Sequence, residues 1–151
     1  MVSLKLIDRI AVAAIFVTSF AVPAASFACA GGARGEPATR LSMNDGGERR
    51  FYTTGPLGTT TCRVDVAAGG KVVADVQVLN DDVFQTISAG MPVRDVLAII
   101  GPPSGKMRFE RTKTTAWEYH YQDSWGYTAD FSVIVDDAGI VVGKFRARRD
   151  T

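Results

Sequence analysis

Gly90-Met91-Pro92-Val93-Arg94-Asp95-Val96-Leu97-Ala98-Ile99-Ile100-Gly101-Pro102-Pro103 is the stretch on which the reading of the fold turns. Val93, Val96, Leu97 and Ile100 fall at i, i+3, i+4 and i+7, one apolar stripe of a helix running from Pro92 to Ile100. Pro92 suits the first helical position, where its missing amide hydrogen would have had no partner. Gly101 supplies a left-handed stop and Pro102 prevents continuation. Downstream the period changes from helical to alternating. Trp117, Tyr119 and Tyr121 point one way and Glu118, His120 and Gln122 the other, and Phe131, Val133 and Val135 form the next inward face. Asp136-Asp137-Ala138-Gly139 reads as a hairpin turn, after which Ile140 to Arg148 completes a three-strand meander.

An incomplete earlier copy of this passage is visible in Gly35-Glu36-Pro37, Arg50-Phe51-Tyr52 and Val64 to Val72, with Gly69-Gly70 at the turn. The separations Pro37 to Pro103, Tyr52 to Tyr119 and Gly70 to Gly139 agree to within a few residues, so one small fold unit is used twice. In the first copy, Thr59 to Val66 places Cys62, Val64 and Val66 on one face, the expected inner one, and Arg63 and Asp65 on the other. Val72 to Leu79 sets Val72, Ala74, Val76 and Val78 against Asp75 and Gln77. Asn80, Asp81 or Asp82 can cap a short helix through Val83, Phe84 and Ile87. The expected order is three strands, two helices, three strands, an α+β protein with a helix pair packed on a three-stranded antiparallel meander.

The chain begins as an export signal would. Lys5 and Arg9 precede an apolar run from Ile10 to Val22, and Ser26-Phe27-Ala28 places small residues before Cys29. The run is shorter than the roughly 20 residues of a spanning helix. The expected organisation is a signal peptide over 1–28, a flexible tether over 29–46, a partial three-strand repeat over 47–79 and a complete domain over 80–151. Cys29 has three readings: the lipid-bearing first residue of a lipoprotein, placed first, a disulfide with Cys62, which an exported location permits, or an unmodified thiol.

Charge is nearly balanced, with 17 basic and 16 acidic residues, which argues against a nucleic-acid partner. Lys144, Arg146 and Arg148 share one face of the last strand; the plain reading is a solvated outer face, the sharper one attraction to anionic headgroups. Trp125 and Tyr127, in a Gly-containing hairpin connection, are candidates for a partner surface. The lone His120 is expected to be exposed and structurally idle, because a metal site would need further His or Cys ligands nearby. Asp81-Asp82 and Asp136-Asp137 read as cap and turn residues. Gly101 to Lys106 follows a helix, whereas a phosphate loop precedes one. No nucleophile, base and orienting group are nominated together, so no catalytic residues, metal or cofactor are expected.

Gly90-Met91, Val96-Leu97, Gly101-x-Pro103, Trp117-x-Tyr119 and the Val133-x-Val135-Asp136-x-x-Gly139-x-Val141 hairpin resemble the SmpA/OmlA family, the BamE-like domain of small outer-membrane lipoproteins. The resemblance spans roughly Phe84 to Phe145, with a weaker echo in the first copy. It implies a helix pair on a three-stranded sheet, export, and a non-enzymatic role in the envelope. A lipid anchor on the periplasmic face of the outer membrane and partners in the β-barrel assembly machinery would accompany that role. The layout is also similar to β-lactamase inhibitor proteins, which bind proteins with a concave sheet; a soluble periplasmic binding or inhibitor-like module is the alternative.

Overall fold

The computed structural model describes Cys29 and residues 34–149; the signal peptide expected over 1–28 lies outside the described residues. Its elements are β1 (Thr39–Ser42), β2 (Glu48–Thr53), β3 (Thr61–Val66), β4 (Val72–Gln77), α1 (Asp81–Gln85), α2 (Val93–Ile100), β5 (Gly105–Phe109), β6 (Thr114–Gln122), β7 (Thr128–Asp136) and β8 (Val141–Arg148). They form two four-stranded antiparallel meanders, β1-β2-β3-β4 and β5-β6-β7-β8. Among the described residues strand accounts for 47% and helix for 11%, so the fold is mostly β. This corrects the expected α+β, BamE-like arrangement of a helix pair on a three-stranded meander. Among the described residues no helix is long and apolar enough to cross a membrane.

The two strands absent from the expectation are both edge strands. β1 lies inside the segment read as a tether, where Arg40 pairs with Arg50 and Ser42 with Glu48 in register. Four residues give only two side chains per face, too few for an alternation to show; backbone pairing and the Arg40–Glu48 contact at 3.0 Å hold it instead. β5 is exposed from Lys106 to Phe109, Met107 and Phe109 included, and Lys106 lies 4.0 Å over the Trp117 ring.

α2 carries the expected stripe, with Val96 and Ile100 fully buried. It begins at Val93, leaving Pro92 as the capping residue, and ends at Gly101 with φ 77°. α1 is a single turn capped by Asn80, whose Oδ1 accepts from the Val83 amide at 2.9 Å. Phe84 stacks on Phe131 at 3.9 Å and meets Tyr121 edge-on at 4.8 Å. These contacts lay α1 on the face of the second sheet that carries Trp117, Tyr119 and Tyr121, and the Tyr119 hydroxyl, donating to the Gly101 carbonyl at 3.1 Å, ties the end of α2 to the same face. The same cluster takes in Phe51, Val78 and Leu79, so one core serves both sheets. Each such fully buried large apolar side chain stabilises the fold by about 1.5–3 kcal/mol.

β3 is turned over relative to expectation. Cys62 lies in register with Tyr52 and Gln77, and Val64 with Arg50 and Asp75, on the face away from Phe51 and Val76. Val64 is nevertheless buried. Cys29 and Arg34 lie on this face: Cys29 is joined to Cys62 by a disulfide with Cα atoms 5.8 Å apart. Arg34 donates to the Cys29 carbonyl and to Asp75 Oδ2, each at 2.7 Å, and lies over the Tyr52 ring. The polar side of β3 faces inward. There Arg49 holds Asp65 through two bonds of 2.7 and 2.9 Å and donates to the Ala98 carbonyl of α2 at 2.8 Å.

Candidate functional site

The connection from β6 to β7 is organised by one carboxylate. Asp123 Oδ1 accepts the Trp125 and Tyr127 amides at 2.9 and 3.0 Å, and Oδ2 accepts from Arg148 Nε at 2.7 Å. Gly126 takes φ 83°, which closes the turn at little cost only for glycine. Burial alone would raise the Asp123 pKa, but the Tyr127 and Trp125 amides and the Arg148 guanidinium outweigh it and hold the carboxyl below its ordinary range. The hairpin tip is therefore fixed in place, and it presents two aromatic side chains to solvent: Trp125 is 79% and Tyr127 59% exposed. The Arg148 guanidinium sits 4.8 Å from the centroid of the Tyr127 ring.

Beside this tip is a cleft of about 270 Å³ lined by Asp81, Tyr121, Asp123, Trp125, Arg146 and Arg148 among others. The Tyr121 hydroxyl donates to Asp81 Oδ1 at 3.0 Å, and Arg146 donates to the same oxygen at 2.7 Å. Burial, then the Asp81 carboxylate, push the Tyr121 pKa up. The hydrogen bond to Asp81, then that to Tyr121, raise that of Arg146. The cleft thus alternates acid and base along its wall, with an exposed indole at the rim. A second cleft of about 280 Å³ between the Thr53–Thr61 connection and Pro102–Ser104 has no charged side chain in its lining.

Four of the five expected contact residues, Trp125, Tyr127, Arg146 and Arg148, come together here. Lys144 does not: its ammonium donates to the Phe84 and Gln85 carbonyls at 2.8 and 3.2 Å, closing the C-terminal end of α1. The register sets Lys144, Arg146 and Arg148 opposite Val133, Phe131 and Ala129, on the core side of the sheet margin. Each also makes a local contact, to helix carbonyls, Asp81 or Asp123. Arg146 and Arg148 nevertheless stay more than half accessible.

Cys29 is also reassigned. A lipid thioether would use the sulfur that here bonds to Cys62, so the disulfide and the anchor exclude one another, and the structure has the disulfide. His120 is neither exposed nor idle: its side chain is 12% accessible, with Nδ1 2.6 Å from Asp130 Oδ1. Arg149 closes the group with two bonds to Asp130 at 3.0 and 2.9 Å. The Asp136 turn forms as expected, its Oδ1 accepting the Ala138 and Ile140 amides. Among the described residues no group of three His, Cys, Asp or Glu side chains is placed to hold a metal ion.

The residues that sequence reasoning missed are Asp81, Tyr121 and Asp123. Asp81 read as a helix cap, but Asn80 caps α1 and frees Asp81 for the cleft. Tyr121 read as core, which describes its ring but not its hydroxyl. Asp123 had a legible signal, since Asp followed by Gly126 marks a turn in which the carboxylate binds amides two and four residues on.

Comparison with known protein families, curated proteins and solved structures finds no match for this chain.

Proposed function

We propose that this chain is an exported, non-catalytic protein-binding module that engages its partner with the Trp125/Tyr127 hairpin tip and the cleft beside it. The observation that carries this reading is the pinned tip: a carboxylate fixes the backbone that presents two largely exposed aromatic side chains. Aromatic and arginine side chains on a pre-ordered surface are the commonest anchors of protein interfaces, because little conformational entropy is lost on docking. The cleft carboxylates are committed to arginine partners, an arrangement suited to recognition. Work outside the cytosol is supported by the Cys29–Cys62 disulfide and by the signal-like start. The disulfide favours a soluble periplasmic module over a lipid-anchored one. A place in outer-membrane barrel assembly rests on the SmpA/OmlA resemblance alone.

The test is a photo-crosslinking amino acid placed at Trp125, and separately at the exposed Leu57 in the β2–β3 connection, in cells of the source organism. A discrete adduct with one envelope protein from position 125, absent from position 57 and lost when Tyr127→Ala is added, is the expected result. Equal or no adducts from both positions would refute the proposal.

A further inference from the structure

β8 is a margin of the second sheet, and beyond its first residue it is open. Val141 is covered on its outer side, donating to the Met91 carbonyl at 2.9 Å and accepting from the Gly90 amide at 2.7 Å. Past that point the antiparallel pattern fixes which groups point outward. Arg149 donates to the Thr128 carbonyl at 3.0 Å, so residues 143, 145, 147 and 149 turn their backbone groups toward β7 and residues 144, 146 and 148 turn theirs away. Among the described residues nothing bonds the outward amides and carbonyls of Lys144, Arg146 and Arg148. Unpaired strand groups of this kind are a template for a further strand.

The side chains along that margin alternate in chemistry as well. Lys144, Arg146 and Arg148 lie on one face, and Phe145, which is 53% exposed, and Ala147 on the other. Arg146 and Arg148 each use part of their fork on Asp81 and Asp123 and remain 65% and 54% accessible, leaving donors free for a second carboxylate. A second copy docked antiparallel through the same margin would set like charges opposite one another, which is destabilising. The chemistry that fits is therefore the complement.

We infer that β8 accepts an extended segment of the partner protein as a fifth strand along Lys144 to Arg148, a segment with acidic side chains at alternate positions and apolar ones between them. Acidic residues pair across to Lys144, Arg146 and Arg148, and apolar residues pair across to Phe145 and Ala147. Backbone bonds to the three outward residues supply the attachment, and the alternation supplies the selection. This rests on the protein-binding reading above and names its partner class; the Trp125/Tyr127 tip stands at the Arg148 end of the strand, where the partner chain would emerge.

The test uses the oxidised mature protein and two decapeptides of equal composition at low salt, one alternating Glu and Val, the other with its glutamates in one block. Amide exchange is followed by NMR at up to about 1 mM peptide. The alternating peptide is expected to slow exchange at Lys144, Arg146 and Arg148 about tenfold or more, leaving Phe145 and Ala147, already bonded to β7, unchanged. The block peptide, and an alternating peptide methylated on every second amide nitrogen along the edge that pairs with β8, should give no protection. Arg146→Gln with Arg148→Gln should weaken binding about fivefold.

Absence of protection on β8 overturns the inference, and so does protection or Trp125 perturbation confined to the cleft. If the peptides do not bind and the double Gln variant self-associates, the basic residues serve only to keep copies apart, which also overturns it. Crosslinks from position 125 in cells together with an unprotected β8 would leave the binding-module reading standing and remove the added strand.

Discussion

Gly101→Ala tests the joint between the two sheets. Gly101 ends α2 with φ 77° and ψ −165°, a backbone region that is essentially reserved for glycine and costs other residues about 1–3 kcal/mol. A Cβ there would also lie 2.7 and 2.9 Å from two ring carbons of Phe51 and 3.3 Å from its Cβ. Phe51 is fully buried, so its ring has little room to retreat, and overpacking of this kind adds about 1–3 kcal/mol. The expected loss for Gly101→Ala is about 2–6 kcal/mol, and for Phe51→Ala about 3–5 kcal/mol from the cavity it leaves. The two are not additive. With the ring gone, the clash disappears and the new methyl enters the vacated space, so Gly101→Ala in the Phe51→Ala background should cost only the backbone term of about 1–3 kcal/mol. Urea unfolding of the four proteins, with the disulfide intact, measures the cycle. If Phe51→Ala alone leaves too little folded protein, the cycle is run with a stabilising osmolyte, which strengthens burial without altering the contact. Agreement with additivity to within about 0.5 kcal/mol would refute the argument that Phe51 and Gly101 interlock.

Replacing Cys29 and Cys62 by Ser opens a loop of 33 residues' separation, for which the chain-entropy relation gives a loss of about 3–4 kcal/mol; an unchanged urea midpoint, or intact mass showing free thiols in the oxidised protein, would contradict it. Lys144→Met keeps the aliphatic stem but removes the ammonium from the α1 carbonyls, and should lower stability by about 0.5–1 kcal/mol with the strand spectrum unchanged. Stability should fall in acid. Asp123, Asp130, Asp137 and Glu48 all have folded pKa values below their ordinary ones. Their contribution is therefore complete above the unfolded carboxyl values near pH ~4 and is lost as pH drops through the lower folded values. A stability profile between about pH 2 and 6 that slopes the other way would contradict the ion-pair assignments.

Much of the second half was legible in the sequence because its signals are periodic. The α2 stripe with its Gly101 stop, the aromatic strand β6 and the Asp136–Gly139 turn each occupy enough residues, or need a special enough residue, to stand out. β1 and β5 were not legible, since a short strand at a sheet margin is held by backbone bonds and charge pairs that leave no apolar pattern. The reversal of β3 has a different cause. Alternation shows which side chains share a face, not which face meets the core. Here both faces of the first sheet carry further contacts, one from Cys29 and Arg34 and the other from α2, so the apolar set of Cys62, Val64 and Val66 satisfies the alternation while facing away from Phe51. The cleft was half legible for the same reason: Trp125 and Tyr127 announced themselves as aromatic side chains in a turn, whereas Asp81 and Tyr121 become cleft residues only once α1 is laid across the sheet.

Arg49 reaches from β2 to the last turn of α2, which has no basic residue of its own there, and Phe51 fills the space under its stop. The helix is thus finished by side chains that come some fifty positions earlier in the chain. A graft of α1 through β8 into another protein, cut where its sequence likeness begins, would arrive with an unclosed helix end and an empty socket. To be transplanted as a working part it would have to bring β2 with it.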